Sequence, residues 1–363
     1  MPLTQIKGSN VSAVLTNTQL NTSGSASSSN VLPGTFAWSA ASRSGLTNFA
    51  ASDPATPVAG EIWFEGGNVK IAANPNILTG VWQSGGSLNN SRDYPGGCGV
   101  QSSALASSSE GYPTSQKTEL YSGTTWVNVN NTIAQRIYVT QFGTSGAAVQ
   151  AFGHDSGTDY ATCQEFDGTS WAAGNSGSIA IRSGGSAGTL SAGIMFGGRA
   201  GTLPSPYLSS ISQLYDGTSW SAANSMVKGY QANRGCGTQT AAISTCGKDD
   251  VGGTATFADD TELYDGTSWS AASNCLAVRA YGPCFGQQAA AVISGGSSGS
   301  NLKTTEEFDG TTWTSGSDML AIRNSSASAG SSGSGGITFG GYGASTLSTS
   351  EEWNKPRIQY YDV

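Results

Sequence analysis

The residues able to do chemistry in this 363-residue chain are few, and their spacing narrows what they can do. There is one histidine, His154, and it stands in an acidic stretch with Asp155 and Asp159. A second acidic stretch holds Asp249 and Asp250, followed by Asp259 and Asp260. Grouped loop carboxylates are what hard cations bind, but such a site needs about six or more converging oxygens. The Asp-Gly steps beginning at Asp167, Asp216, Asp265 and Asp309 lack the alternating ladder of a calcium loop and read as turn chemistry. Ser-His-Asp hydrolysis would have to use His154, and no serine in a nucleophile context stands out as its partner. The cysteines (Cys98, Cys163, Cys236, Cys246, Cys275 and Cys284) have neither C-x-x-C spacing nor histidine companions, which removes zinc. Disulfides are allowed but not required. The expectation is no catalytic residue, no metal and no cofactor. The irregular loops carrying His154, Asp155, Asp159, Asp249, Asp250, Asp259 and Asp260 are the candidate binding surface, because loops are where recognition departs from scaffold.

Those loops must be positioned, and the positioning elements are visible as a repeat. The stretch Glu262-Leu263-Tyr264-Asp265-Gly266-Thr267-Ser268-Trp269 has close copies ending at Trp126, Trp171, Trp220 and Trp313, in steps of 45, 49, 49 and 44 residues. Periods of this size point to propeller blades. In the unit from Arg279 to Ile322, a Gly- and Ala-containing stretch supplies strand a and residues 289–294 supply strand b. Gly295-Gly296 ends strand b, where the backbone must turn without a Cβ. Residues 304–308 form strand c, Asp309-Gly310 reads as a type I′ hairpin turn, and Trp313 opens strand d. Arg92, Arg136, Arg279 and Arg323 each follow a tryptophan by ten residues, Arg182 follows one by eleven, and Tyr230 stands where a sixth arginine is expected. Most units carry Glu or Gln on strand c, so these arginines are expected in ion pairs or backbone contacts between blades. Trp82, Trp126, Trp171, Trp220, Trp269 and Trp313 are expected in inter-blade packing.

This order of marks (Arg, a Gly pair, Tyr-Asp, Trp) resembles the kelch motif over roughly residues 79–358. The Gly pair is complete at Gly197-Gly198, Gly295-Gly296 and Gly340-Gly341, but reads Phe152-Gly153, Cys246-Gly247 and Ser107-Ser108-Ser109 elsewhere. The last unit ends at Glu351-Glu352-Trp353 without a strand d, while Val81-Trp82 supplies a strand d with nothing before it. The resemblance therefore implies an all-β, six-bladed kelch-like propeller of four-stranded blades, closed by an N-terminal strand. Copper chemistry of the galactose-oxidase class, which shares such repeats, needs histidines that this chain lacks. A sialidase-like site needs converging arginines with paired carboxylates, whereas these arginines recur by blade.

Composition bounds the rest. With 51 Gly, 11% charged residues and a net charge of −8, the chain has no nucleic-acid footprint. No apolar stretch is long enough to span a membrane, and no secretory signal is visible at the start. Residues 1–58 are unpatterned and polar and are expected to form an attachment arm that gains order by docking. Residues 59–78 form a connector with a hairpin signal at 60–71, and 79–363 form the propeller. The Gly/Ser/Thr/Ala/Asn-rich repeats, with the leads Gly60-Glu61-Ile62-Trp63 and Gly80-Val81-Trp82, resemble virion proteins of tailed bacteriophages. That likeness implies a tail-fibre, tail-tip or capsid-decoration component, docked on other virion proteins through its arm and homo-oligomeric in the assembly. It would be assembled in the host cytoplasm, located on the virion and engage a host-surface glycan or protein. The alternatives are an extracellular, lectin-like bacterial propeller and a carbohydrate-active enzyme; an empty Gly/Ser-lined channel counts against the enzyme.

Overall fold

In the computed structural model, which describes residues 62–65, 68–71, 80–109, 115–201, 207–251 and 254–355, every recurrent octapeptide is the outer hairpin of a four-stranded antiparallel sheet. The arm expected over residues 1–58 lies outside the described residues, as does most of the connector. In chain order, β1 (Ile62–Glu65) and β2 (Asn68–Ile71) pair as the expected hairpin, in a unit of their own, and β3 (Val81–Ser84) opens the second unit, Gly80–Lys355.

Six blades follow. Blade 1 is β4 (Gly96–Val100), β5 (Ser103–Ser107), β6 (Thr118–Tyr121) and β7 (Trp126–Val129). Blade 2 is β8 (Thr140–Thr144), β9 (Ala147–Ala151), then a small inserted hairpin of β10 (His154–Asp155) and β11 (Thr158–Asp159), then β12 (Cys163–Phe166) and β13 (Trp171–Gly174). Blade 3 is β14 (Gly185–Thr189), β15 (Ala192–Phe196), β16 (Ser212–Tyr215) and β17 (Trp220–Ala223). Blade 4 is β18 (Arg234–Thr238), β19 (Ala241–Val251), β20 (Thr254–Tyr264) and β21 (Trp269–Ala271). Blade 5 is β22 (Cys284–Gln287), β23 (Ala290–Ser294), β24 (Thr305–Phe308) and β25 (Trp313–Ser315). Blade 6 is β26 (Ala327–Ser332), β27 (Gly335–Phe339) and β28 (Ser350–Asn354), completed by β3, with Trp353 opposite Trp82. The innermost strands touch in sequence, β4 to β8, β14, β18, β22, β26 and back to β4, so the ring is closed. No helix occurs among the described residues.

The burial of each strand follows from its radius. Second strands such as β15 and β23 are small or apolar on both faces because each lies between two neighbouring sheets, and four of their five residues are buried. Outermost strands such as β7 and β13 bury only their leading tryptophan. That tryptophan faces the aromatic opposite it across the hairpin, as in Tyr264–Trp269 at 5.1 Å, and reaches the preceding blade, as in Trp269–Phe196 at 4.7 Å. Its indole N–H crosses the joint too. Trp171, Trp269, Trp313 and Trp82 donate to Thr118, Ser212, Thr261 and Thr305, the hydroxyls three residues before the end of the preceding blade's third strand.

Two details differ from the sequence expectation. The outer turn is not type I′. Phe308 pairs with Trp313, leaving four loop residues, and only Gly310 is left-handed, at φ +94°. A type I′ turn needs two such residues. Here the Asp309 carboxylate accepts the backbone N–H groups of Thr311 (2.8 Å) and Thr312 (2.7 Å) and holds the loop instead. The second correction concerns Arg182. In all six joints a backbone N–H three residues before the arginine position is captured by the Glu or Gln of the next third strand: Asn89 by Glu119, Ile133 by Gln164, Val227 by Glu262, Leu276 by Glu306 and Leu320 by Glu351. The sixth is Ser178 by Gln213, which puts Ile181, not Arg182, in the equivalent place. Ile181 is also ten residues after its tryptophan and fully buried. A buried isoleucine next to a neutral glutamine needs no counter-charge, and the spacing rule of ten holds without exception.

Candidate functional site

In an up-and-down blade the first-to-second and third-to-fourth connections share one end of the ring, and the second-to-third and inter-blade connections share the other. The irregular loops belong to the second group, so they gather on one face around the channel mouth.

That mouth is built from strained backbone. Where each inter-blade segment meets its innermost strand, one non-glycine residue is left-handed: Tyr94, Tyr138, Ser183, Ala232, Tyr281 and Ser325, with φ between +52° and +62°. Such conformations are rare outside glycine and persist where the surroundings over-determine them. Here backbone hydrogen bonds between successive members of this circle do so: Ser183 N–H donates to Tyr138 (2.9 Å), Ala232 to Ser183 (2.8 Å), Tyr281 to Ala232 (3.0 Å), Ser325 to Tyr281 (3.1 Å) and Tyr94 to Ser325 (3.0 Å). The three tyrosines of the circle meet over the opening. The ring of Tyr94 lies 4.3 Å from that of Tyr138 and 5.7 Å from that of Tyr281, which comes from a non-adjacent blade. All three are half-buried. Below them the channel is a cavity of about 280 Å³ lined mainly by Gly, Ser, Thr and Ala of the six inner strands; its one charged lining residue is Arg234.

Cations flank two of the tyrosines. Arg182 and Arg199 are neighbours through a backbone bridge, Arg182 N–H to Arg199 O at 3.0 Å and the reverse at 2.7 Å. The Arg182 guanidinium stands 5.9 Å from the Tyr138 ring centre, and the Lys248 ammonium 5.9 Å from that of Tyr281 and 4.6 Å from that of Phe257. Burial raises the Tyr281 hydroxyl pKa above its ordinary value, and Tyr94 adds to this, while Arg234, Arg182 and Arg199 act against it. Three arginines therefore act on one hydroxyl. The sequence reading that the arginines only recur by blade is corrected here: those that converge are the ones outside the repeat.

The candidate loop residues fall into two hairpins. In blade 2, Nδ1 of His154 is 2.7 Å from Asp159, whose same oxygen is 3.4 Å from Arg182. Asp155 accepts from Ser156. In the long β19–β20 arm of blade 4, Lys228 bridges Asp260 (3.0 Å) and Asp249 (3.9 Å), Asp249 also accepts from Thr256, and Asp259 accepts from Asn274. Asp250 pairs with Ala255 across that arm. The structure brings His154 and Asp159 to the basic cluster through Arg182 but leaves Asp249, Asp259 and Asp260 on local partners. Among the described residues no three His, Cys, Asp or Glu side chains converge as metal ligands.

The recurrent arginines sit inside the joints. Arg92, Arg279 and Arg323 are fully buried and bridge Glu119 (2.8 Å), Glu306 and Glu351 (2.6 Å) while donating to the carbonyls that flank the second-to-third connection. Arg136, beside Gln164 instead of a glutamate, donates to the carbonyls of Phe152 and Thr162 and to the Thr162 hydroxyl.

Sequence reasoning missed Arg199, Lys248, Arg234 and the mouth tyrosines. Two signals were present. Tyr94, Tyr138 and Tyr281 each lie two residues after a repeat arginine, and His154, Arg199 and Lys248 each follow the glycine-pair position in consecutive blades.

The fold and this face define a six-bladed β-propeller with an aromatic and basic mouth. No protein-family model matches the chain, and no curated protein matches it. Among solved structures it is similar to one described as "Structure of YjhT", at a TM-score of 0.63 and 10% sequence identity, over 76% of this chain and 98% of the other. At that identity the likeness concerns the fold alone.

Proposed function

We propose that this chain is a binding propeller that recognises a saccharide surface through the mouth face, carried on a phage particle by its N-terminal segment. The observation that carries the reading is the half-buried cluster of Tyr94, Tyr138 and Tyr281 flanked on one side by cations: aromatic faces take sugar rings and charged side chains fix their orientation. The joints, by contrast, use their charges internally. The virion setting is supported by the kelch-like, Gly/Ser/Thr/Asn-rich repeats and their short leads, and by a polar stretch over residues 1–58 that suits docking on other virion proteins. Full-length protein applied to an array of bacterial surface saccharides should bind a defined subset, and antibody to the propeller should label intact particles. Deleting residues 1–58 should leave saccharide binding intact and abolish incorporation.

A second reading rests on the His154–Asp159 pair, a carboxylate-oriented imidazole beside an arginine, which is an arrangement suited to proton transfer on a bound sugar. It predicts chemical turnover of a bound saccharide that His154→Ala abolishes while binding survives. Absence of any product with a tightly bound saccharide rejects it.

A further inference from the structure

Resting on the saccharide-binding reading, we infer that the mouth face selects anionic saccharides, the acidic group being held between Arg182 and Arg199 with its sugar ring against Tyr138 and Tyr281. The chain carries −8 overall, yet four of its sixteen basic residues, Arg182, Arg199, Arg234 and Lys248, gather at one mouth. Like charges placed directly opposite across a backbone bridge repel. Arg182 and Arg199 are such a pair, and the carboxylate beside them, Asp159, is shared between Arg182 and His154. Among the described residues, Arg199, Arg234 and Lys248 form no ion pair at all, although Arg199 rests over Tyr207 at 4.8 Å and Arg234 donates only to the neighbouring Asn233 carbonyl. Arg182, Arg199 and Lys248 are half-buried, so they are partly desolvated while keeping solvent access, and Arg234 lines the channel beneath the tyrosines. Uncompensated guanidinium groups in that setting favour a planar or tetrahedral oxyanion that accepts two donors at once.

The arc also has a side. At the position following the glycine pair, blades 2, 3 and 4 carry His154, Arg199 and Lys248, whereas blades 5 and 6 carry Ser297 and Tyr342. Among the described residues the cations at this position therefore lie to one side of the mouth, and the net charge of −8 disfavours an extended polyanion such as nucleic acid. A short segment with one acidic group over the basic half and neutral sugar over the tyrosines fits both halves.

The test is titration of the full-length protein with size-matched oligosaccharides that are neutral, carboxylated, sulfated or phosphorylated, at low and at physiological salt. The acidic set should bind at least about tenfold more tightly than the neutral set, and the advantage should shrink as salt rises. Which acidic arm binds best identifies whether carboxylate, sulfate or phosphate is the natural group. Arg199→Ala should abolish the preference for the acidic set, and Arg199→Lys should retain part of it. If neutral and acidic sets bind equally and Arg199→Ala changes nothing, the charge selection is wrong while saccharide binding stands. If no saccharide of any set binds, both readings fall.

Discussion

Single residues in the joints show how one position sets the charge state of its partner. Glu119 and Glu262 hold equivalent places on β6 and β20. Burial raises the pKa of Glu119, but the Arg92 guanidinium bonded to it outweighs that and holds the carboxyl below its ordinary value. In blade 4 the arginine is replaced by buried Tyr230, and burial pushes Glu262 up, only partly offset by the backbone N–H groups of Val227 and Lys228. Opposite pH signatures follow. The Glu119 contribution is present above its unfolded pKa and lost as pH falls through the lower folded value. The Glu262 contribution is full below the unfolded value near 4.5 and lost as pH rises through the higher folded one. Glu119→Gln leaves the Arg92 charge unpaired and should cost about 3–5 kcal/mol in denaturant unfolding at pH 7. Glu262→Gln should be neutral or stabilising at pH 7 and lose that advantage near pH 4; equal losses for the two variants would contradict the assignment. A smaller defect sits at Trp220, whose buried indole N–H meets only the weakly accepting sulfur of Cys163, where other blades offer a Thr or Ser hydroxyl. Cys163→Ser should supply a stronger acceptor and add about 1 kcal/mol of stability by the same measurement. All six cysteines are buried, and burial pushes the Cys98 thiol up to about 12, so native protein should show no rapidly reacting thiol at pH 8 and six after denaturation.

At the scale of the element, the degenerate glycine pair is explained by two different backbone demands. The first position is left-handed in every blade, with φ from +54° to +67°, and is filled by Ser108, Phe152, Gly197, Cys246, Gly295 and Gly340. Strain there is moderate and packing can offset it. The second position lies at φ +87° to +116° in blades 2 to 6 and is glycine each time. A Cβ on Gly296 would stand 2.7 Å from the Ala280 carbonyl oxygen, which belongs to backbone and cannot swing away. Gly296→Ala should therefore cost about 1–3 kcal/mol, seen as a lower thermal midpoint. The Gly-Gly mark was half legible for this reason: one member is required by geometry, the other only preferred. The Arg182 position misled because the arginine itself was followed through the repeat, whereas the physical constant is the distance from the tryptophan to the residue entering the joint.

For the whole molecule, closure is the decisive contact. β3 comes from the opposite end of the propeller sequence, yet it pairs with β28, and Trp82 covers Trp353, which is fully buried. With β3 in place blade 6 ends on a short outermost strand like the other blades, and without it β28 becomes an open edge. Trp82→Ala should cost about 3–5 kcal/mol, and a chain beginning after Ser84 should lose its single cooperative unfolding transition. A truncated chain that unfolds as sharply as the intact one would show that closure matters less than this.

The amino-acid order alone determined the blade, the number of blades and the closing strand, because hairpin turns, cross-strand aromatics and glycine requirements are local and recur at a countable period. It also located the loops on which His154 and Asp159 sit. Only the tertiary structure decided which side chains face one another across the mouth. Tyr94 and Tyr281 are 187 positions apart and belong to non-adjacent blades, and Arg182 meets Arg199 only through a backbone bridge. Such proximity arises from wrapping six sheets around one axis, which turns residues of equal radius into neighbours whatever their separation along the chain.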